Sequence, residues 1–344
     1  MKTGKNKKSI ALAGVITSFA LAAFTGCGPQ AATSSYLAKS EDSQNIIGGV
    51  TADLNYQKEN GIVGILAVEK PLDLKTCKVV KDPKTGQDSL DLNTCKPELD
   101  PKTGQPKVQQ SICTGTLIEK KIILTAAHCI SSPFLVAAYA IFSTDIKTAG
   151  QADIRAIITG AVHADYMKNV KDTDQSMQIA HNDIALVGFN QEAPADFKLA
   201  KLALNAAKEL EKTSLTLTGF GVTNAVVNRK VVGNDGKEQI LHLPSEGSGT
   251  LRKVDNIPVV EVSADQKEIM LDQKQNAGAC HGDSGGPAFT KLQDGTTVQV
   301  GVTSRGTEAL GNCTEGAIYT AVSGYADWIK EKSKILNEQL AFSK

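Results

Sequence analysis

Three short segments of this chain carry residues that could act together on an acyl carbon. They are Thr125-Ala126-Ala127-His128-Cys129, His181-Asn182-Asp183-Ile184-Ala185-Leu186 and Cys280-His281-Gly282-Asp283-Ser284-Gly285-Gly286-Pro287. A serine hydroxyl is a poor nucleophile at neutral pH, so attack requires a base to take its proton. Histidine suits that task because its unperturbed pKa is about 6.5. The base in turn needs a carboxylate to fix its tautomer and stabilise the imidazolium. Ser284, His128 and Asp183 supply these three chemistries. The other histidines, His163, His181, His242 and His281, read as surface or structural, with His281 close enough to touch a substrate.

The elements around these segments are short. Apolar runs at Gly61–Val68, Lys121–Leu124, Phe134–Phe142, Ile154–Val162, Ile184–Phe189, Leu215–Phe220, Ile257–Val262 and Val298–Val302 are separated by Gly, Asn, Asp and Pro. That pattern predicts an all-β barrel or sandwich. The tail differs: Ser323 can cap a helix, and Tyr325, Trp328, Ile329, Ile335, Leu336 and Leu340 recur at helical spacing. Lys+Arg and Asp+Glu both total 37, so no net field calls for nucleic acid as a partner.

The N-terminus reads as an export signal over 1–26, with Lys2, Lys5, Lys7 and Lys8 ahead of the apolar run Ile10 to Phe24. Phe24-Thr25-Gly26-Cys27 resembles the lipobox of bacterial lipoproteins, in which the cysteine is lipidated; an ordinary signal peptide with an unrelated Cys27 is the alternative. Residues 27–45 are small and polar, as in a linker or pro-segment. With Cys27 set aside, six of the seven cysteines remain to pair in an oxidising compartment. One repeat interrupts the β pattern. Thr76-Cys77-Lys78 leads to Asp82-Pro83-Lys84-Thr85-Gly86-Gln87, and Thr94-Cys95-Lys96 leads to Asp100-Pro101-Lys102-Thr103-Gly104-Gln105. Each Asp-Pro-Lys-Thr-Gly predicts a tight turn. A surface ribbon over about 72–108, closed by Cys77–Cys95, is the expectation, without metal-ligand spacing.

The segments AAHC, DIAL and GDSGGP, in that order, resemble the chymotrypsin/trypsin family of serine endopeptidases. Ile46-Ile47-Gly48-Gly49, Gly219-Phe220-Gly221, Gly301-Val302-Thr303-Ser304 and Ile318-Tyr319-Thr320 extend the resemblance, so that a protease domain is expected over 46–335. It implies two six-stranded antiparallel β-barrels with the site between them, followed by a C-terminal α-helix. It also implies His128 as general base and acid, Asp183 as its orienting partner and Ser284 as nucleophile. The backbone N–H groups of Gly282 and Ser284 would form the oxyanion hole, where losing one donor typically costs ~3 kcal/mol. Disulfides Cys113–Cys129 and Cys280–Cys313 are implied, leaving Cys77 with Cys95. No cofactor or metal is called for, and the partners are protein or peptide substrates of a monomer.

Two positions depart from trypsin itself. The residue six before the nucleophile, a carboxylate in trypsin, is Gly278, and Gly306, Ala317 and Ser304 complete the expected substrate pocket. A cationic side chain would lack a buried partner there, so uncharged apolar residues are expected before the scissile bond. Arg305 stands where the family usually has Trp. The resemblance also implies a zymogen: cleavage before Ile46 frees an amine that pairs with Asp283. Here the preceding residue is Asn45, which a trypsin-like activity would not cut, and no cysteine between Cys27 and Ile46 would tether the released segment. Two alternatives are a catalytically silent homologue acting as a surface-binding lipoprotein, and an esterase. The latter's Gly-x-Ser-x-Gly fold has the triad order Ser, Asp, His, which this chain lacks.

Overall fold

A computed structural model describes residues 46–81, 88–170, 176–204, 210–232, 237–244 and 246–342. The expected leader over 1–26, the expected linker over 27–45 and Cys27 lie outside the described residues. The first six strands are β1 (Ile62–Glu69), β2 (Gln109–Glu119), β3 (Ile122–Thr125), β4 (Leu135–Ile141), β5 (Ile154–Val162) and β6 (Ala185–Phe189). They close into an antiparallel barrel in the order β5-β6-β3-β2-β1-β4, with β4 pairing back onto β5. The next six are β7 (Ser214–Gly219), β8 (Arg252–Val262), β9 (Glu268–Asp272), β10 (Pro287–Lys291), β11 (Thr297–Gly306) and β12 (Gly316–Ala321). These run β8-β7-β10-β11-β12-β9, and β9 pairs with β8 to close a second antiparallel barrel.

Burial explains the closure. Strand β3 is buried at all four positions and β6 at all five, so both faces of these strands are covered. Ile65, Leu124, Leu186 and Phe189 fill the first core, and Leu217, Leu271, Val300 and Tyr319 belong to the second. A short helix, α1 (Leu54–Asn60), precedes β1; Asp53 caps it by accepting from Tyr56 N, and Gly61 ends it at φ 62°. Helix α2 (Ala326–Ala341) follows a 3₁₀ turn over Val322–Tyr325 and buries Ile329, Ser333, Leu336 and Leu340. These apolar residues pack on the first barrel's core. Tyr325 rather than Ser323 stands at the cap, and Ile335 faces outward at 37% exposure while Ser333 takes an inward place.

The barrels aim the three chemical segments at one place. Strand β3 ends three residues before His128 and β6 begins two after Asp183, and these strands pair Thr125 with Ala185. Ser284 stands three residues before β10, which pairs Pro287 with Val302 of β11, the strand that carries Ser304. Backbone register therefore sets the spacing of the site before any side chain is placed.

The insert leaves the barrel at the β1–β2 hairpin, whose register runs out at Glu69 opposite Gln109. Lys78–Lys81 pairs with Asp88–Asp91, Leu72–Asp73 pairs with Lys96–Pro97, and Cys77 is bonded to Cys95. Asp100 accepts from the backbone N–H groups of Lys102 and Thr103, giving the second copy its tight turn; the first copy's turn lies outside the described residues. Because the barrel register ends before the insert starts, replacing residues 70–108 by an Asn-Gly turn should leave the fold intact. Loop-closure entropy changes slowly with length, so chemical denaturation should report a stability within about 1 kcal/mol of the parent. A loss of cooperative unfolding would show that the ribbon is part of the core.

Candidate active site

Asp183 is 4% exposed, and its carboxylate oxygens are engaged from both barrels. Oδ2 lies 2.8 Å from His128 Nδ1 and accepts from Ser304 Oγ at 2.7 Å, while Oδ1 accepts from His128 N at 3.0 Å. Burial alone would raise its pKa, but the charge and hydrogen bonds of His128, with that of Ser304, hold it below the ordinary carboxylate value. Burial likewise works against the imidazolium of His128, and the Asp183 charge and hydrogen bond outweigh it, so the His128 pKa is raised. An ionised carboxylate can only accept, so Nδ1 carries the proton in neutral His128 and Nε2 is left as a base.

His128, Asp183 and Ser284 line one cleft of 410 Å³. Among the described residues, no hydrogen bond joins Ser284 Oγ to His128; resting sites often leave this contact long. The backbone around Ser284 is specific in what it leaves free. Asp283, Gly285 and Gly286 donate to Cys280 O, Thr303 O and Asp283 O, but nothing among the described residues accepts from Gly282 N or Ser284 N. Gly282 adopts φ 99°, and Thr114 holds the loop by donating from Oγ1 to Gly282 O and from N to Ser284 O.

Asp283, next to Ser284 in the chain, is buried and accepts from Gly221 N and Cys280 N at 2.8 Å each. Burial pushes its carboxyl up to about 7, against those two donors and the charge of Arg252. A Cβ on Gly219 or Gly221 would fall 2.2 or 2.4 Å from this carboxylate, which accounts for the Gly-Phe-Gly segment. Ile46 is fully buried in the same core cluster as Ala279, and Ile47 forms a bridge with Gly278.

The remaining predicted site residues divide. Gly306 and Ala317 face one another across the β11–β12 pair, and both line the cleft with Ser304. The Ser304 hydroxyl is spent on Asp183. Gly278 does not line the cleft; its N–H donates to Ile47 O, and the side chain of Gln273 fills the space beside its Cα. Cys113–Cys129 and Cys280–Cys313 are bonded as expected and flank His128 and Ser284 in the sequence. Both groupings of His with Cys in the described residues have their sulfurs in these disulfides, so neither offers a thiolate to a metal. At the cleft rim His281 donates from Nε2 to Gly311 O at 2.7 Å.

Sequence reasoning missed Tyr166, Met167 and Glu308 on the cleft, and Glu268 behind it. Glu268 is 1% exposed and forms a bidentate pair with Arg305 at 2.9 and 2.8 Å. It also accepts from His181 N, two residues before Asp183. The available signal was an acidic residue opening the apolar run Ile269-Met270-Leu271 beside an arginine unusual for its place.

Known proteins resemble this chain at each level. The family model described as Trypsin matches residues 93–329. A CLIP domain-containing serine protease B4 of Anopheles gambiae is 27% identical over 64% of this chain, which spans 61% of that protein. A trypsin of Phaedon cochleariae is 30% identical over 65% of this chain and 79% of its own length. A solved structure of HL collagenase superposes at TM-score 0.53 with 18% identity, covering 84% of this chain and 99% of its own, a likeness of fold. With the two closed barrels and the matched segments, the chain belongs to the trypsin family of serine proteases.

Proposed function

We propose that this chain is an active serine endopeptidase with Ser284 as nucleophile, His128 as general base and acid, and Asp183 as the group that orients His128. The observation that carries this reading is His128 held at 2.8 Å by the buried Asp183 in the cleft that Ser284 lines. His128 Nε2 takes the Ser284 proton as Oγ bonds to the substrate carbonyl carbon. The carbonyl oxygen becomes an oxyanion facing the free N–H groups of Gly282 and Ser284. Return of the proton to the amide nitrogen lets the C–N bond break, and water repeats the sequence on the acyl-enzyme. The small, neutral residues Gly306 and Ala317 on the cleft wall support a preference for apolar side chains before the scissile bond.

The reading extends to a zymogen cut between Asn45 and Ile46, exported, with Cys27 as its lipid anchor until that cut. A carboxyl raised to about 7 by burial supports this, since a new Ile46 amine would supply the missing counter-charge. The disulfides suit an oxidising compartment. The second reading, a silent homologue, is favoured by the same uncompensated Asp283 in the uncut chain. Protein started at Ile46 should be labelled by a fluorophosphonate and should cleave peptides, and Ser284→Ala should abolish both. Labelled wild type that cleaves no peptide, or no labelling at all, would reject the endopeptidase.

Catalysis requires neutral His128, so kcat/KM should fall as pH falls through the raised His128 pKa, with a midpoint above the ordinary 6.5. Asp183→Asn should lower kcat by about 10⁴-fold. A midpoint at or below 6.5 in pH-rate profiles would contradict the assigned coupling. Stability of the uncut chain should follow Asp283. Its pKa is 3.8 unfolded and about 7 folded, so its contribution is complete at low pH and is lost as pH rises toward 7. Thermal melts of uncut protein should therefore decline over that window relative to Asp283→Asn, and parallel curves would refute the assignment.

A further inference from the structure

Behind the cleft, two wall segments are joined twice. One join is the Cys280–Cys313 disulfide. The other is the side-chain amide of Gln273, a residue 1% exposed that directly follows β9. Its Nε2 donates to Ala279 O at 3.0 Å and to Cys313 O at 3.4 Å, and its Oε1 accepts from Ala279 N at 2.6 Å. The main chain is fixed as well, with Gln273 N donating to Glu315 O at 2.9 Å. Ala279, Cys313 and Ala317 line the cleft, whereas Gln273 and Gly278 lie beyond them. A Cβ on Gly278 would stand 2.2 Å from both Cδ and Oε1 of Gln273. The volume that a longer residue at 278 would fill is already occupied by this amide, which comes from the segment just after β9.

We propose that Gln273 is the specificity-determining residue that closes the far end of the substrate pocket and restricts it to short, uncharged side chains of about alanine to valine size. The proposal rests on the protease reading above and deepens it, replacing a pocket open at Gly278 with one sealed by an amide. Both Nε2 hydrogens are spent on carbonyl oxygens, so the closing group offers no donor to an anionic side chain. It carries no charge, so an ammonium or guanidinium would be buried there unpaired. Held at both its oxygen and its nitrogen in a close-packed interior, the amide does not swing aside to lengthen the pocket for a bulky ring. Gly278→Asp therefore does not create a pocket for basic side chains: its Cβ collides with Gln273, at a backbone φ of 153°.

The test uses protein started at Ile46, with active sites titrated by a fluorophosphonate and Ser284→Ala as control. kcat/KM is measured on matched peptides carrying Ala, Val, Phe or Lys before the scissile bond. Wild type should favour Ala and Val over Phe and Lys by about tenfold or more, the usual scale of pocket discrimination. Gln273→Ala should raise the Phe-to-Ala ratio by about tenfold. Gln273→Met, which keeps bulk without the hydrogen bonds, should leave that ratio near wild type, separating closure of the pocket from bracing of its walls. A wild-type preference for Phe or Lys overturns the proposal and needs no variant to fold. An unmoved ratio in folded Gln273→Ala, or Lys cleavage conferred by Gly278→Asp alone, overturns it too. In those cases Ser284 labelling persists and the protease reading stands, whereas absent wild-type labelling sinks both.

Discussion

The arrangement depends on one buried carboxylate that cannot be left without partners. Asp183 belongs to the first barrel, and its oxygens are satisfied by His128 from that barrel and Ser304 from the second. An ionised carboxylate stripped of such partners in a dry interior would neutralise or expel itself. Docking of the barrels and charging of the site are therefore one event. Thr114 makes the same crossing in the other direction, donating from the first barrel to the carbonyls of Gly282 and Ser284 and accepting from Phe220 N. The cleft is thus a seam whose two edges are fixed to each other by hydrogen bonds as well as by packing.

Three buried acids around this seam are treated differently, and their surroundings assign their roles. Asp183 is depressed by a histidine, and Glu268 is depressed because hydrogen bonds from His181 and Arg305 and the Arg305 charge outweigh burial. Among the described residues Asp283 has two backbone donors and the charge of Arg252 to help it, burial outweighs them, and its carboxyl is raised. The first two are finished pairs that rigidify their neighbours. The third is an incomplete pair, stable as the neutral acid and ready for a cation. Arg305 follows the same logic: placed beside the cleft, its guanidinium is turned onto Glu268 and Ser176 O, so it lends the pocket little net charge.

What could be read from the sequence was governed by how local each signal was. The chemical segments were legible because each places its residue within a few positions of a strand end, so short motifs carried long-range geometry. Strand β2 was not, because Gln109-Gln110-Ser111 and the buried Thr114 and Thr116 break its apolar pattern. Thr114 is inside because its hydroxyl and backbone N–H serve the seam, a requirement set by the other barrel. Strands β9, β10 and β12 were hidden for a related reason: Glu268, Pro287 and Gly316 open them, residues that read as breaks. Gly278 could be seen as lacking a side chain, yet nothing local said that Gln273, five residues earlier, would fill the gap.

The inserted ribbon shows why a duplicated segment can stop at two copies. The backbone N of Lys78 donates to Thr94 Oγ1 at 2.9 Å, and that of Lys96 donates to Thr76 Oγ1 at 2.8 Å, so each copy satisfies the other. Asp73 and Asp91 cap equivalent 3₁₀ turns, and the Cys77–Cys95 bond lies between them. Every term of this pairing is reciprocal, which leaves no equivalent donor or thiol for a third copy, unlike an open solenoid repeat. A unit that closes on itself needs little from its host. Such independence explains how it can stand on a hairpin of the barrel that carries His128 without disturbing the Cys113–Cys129 bridge four residues beyond its return.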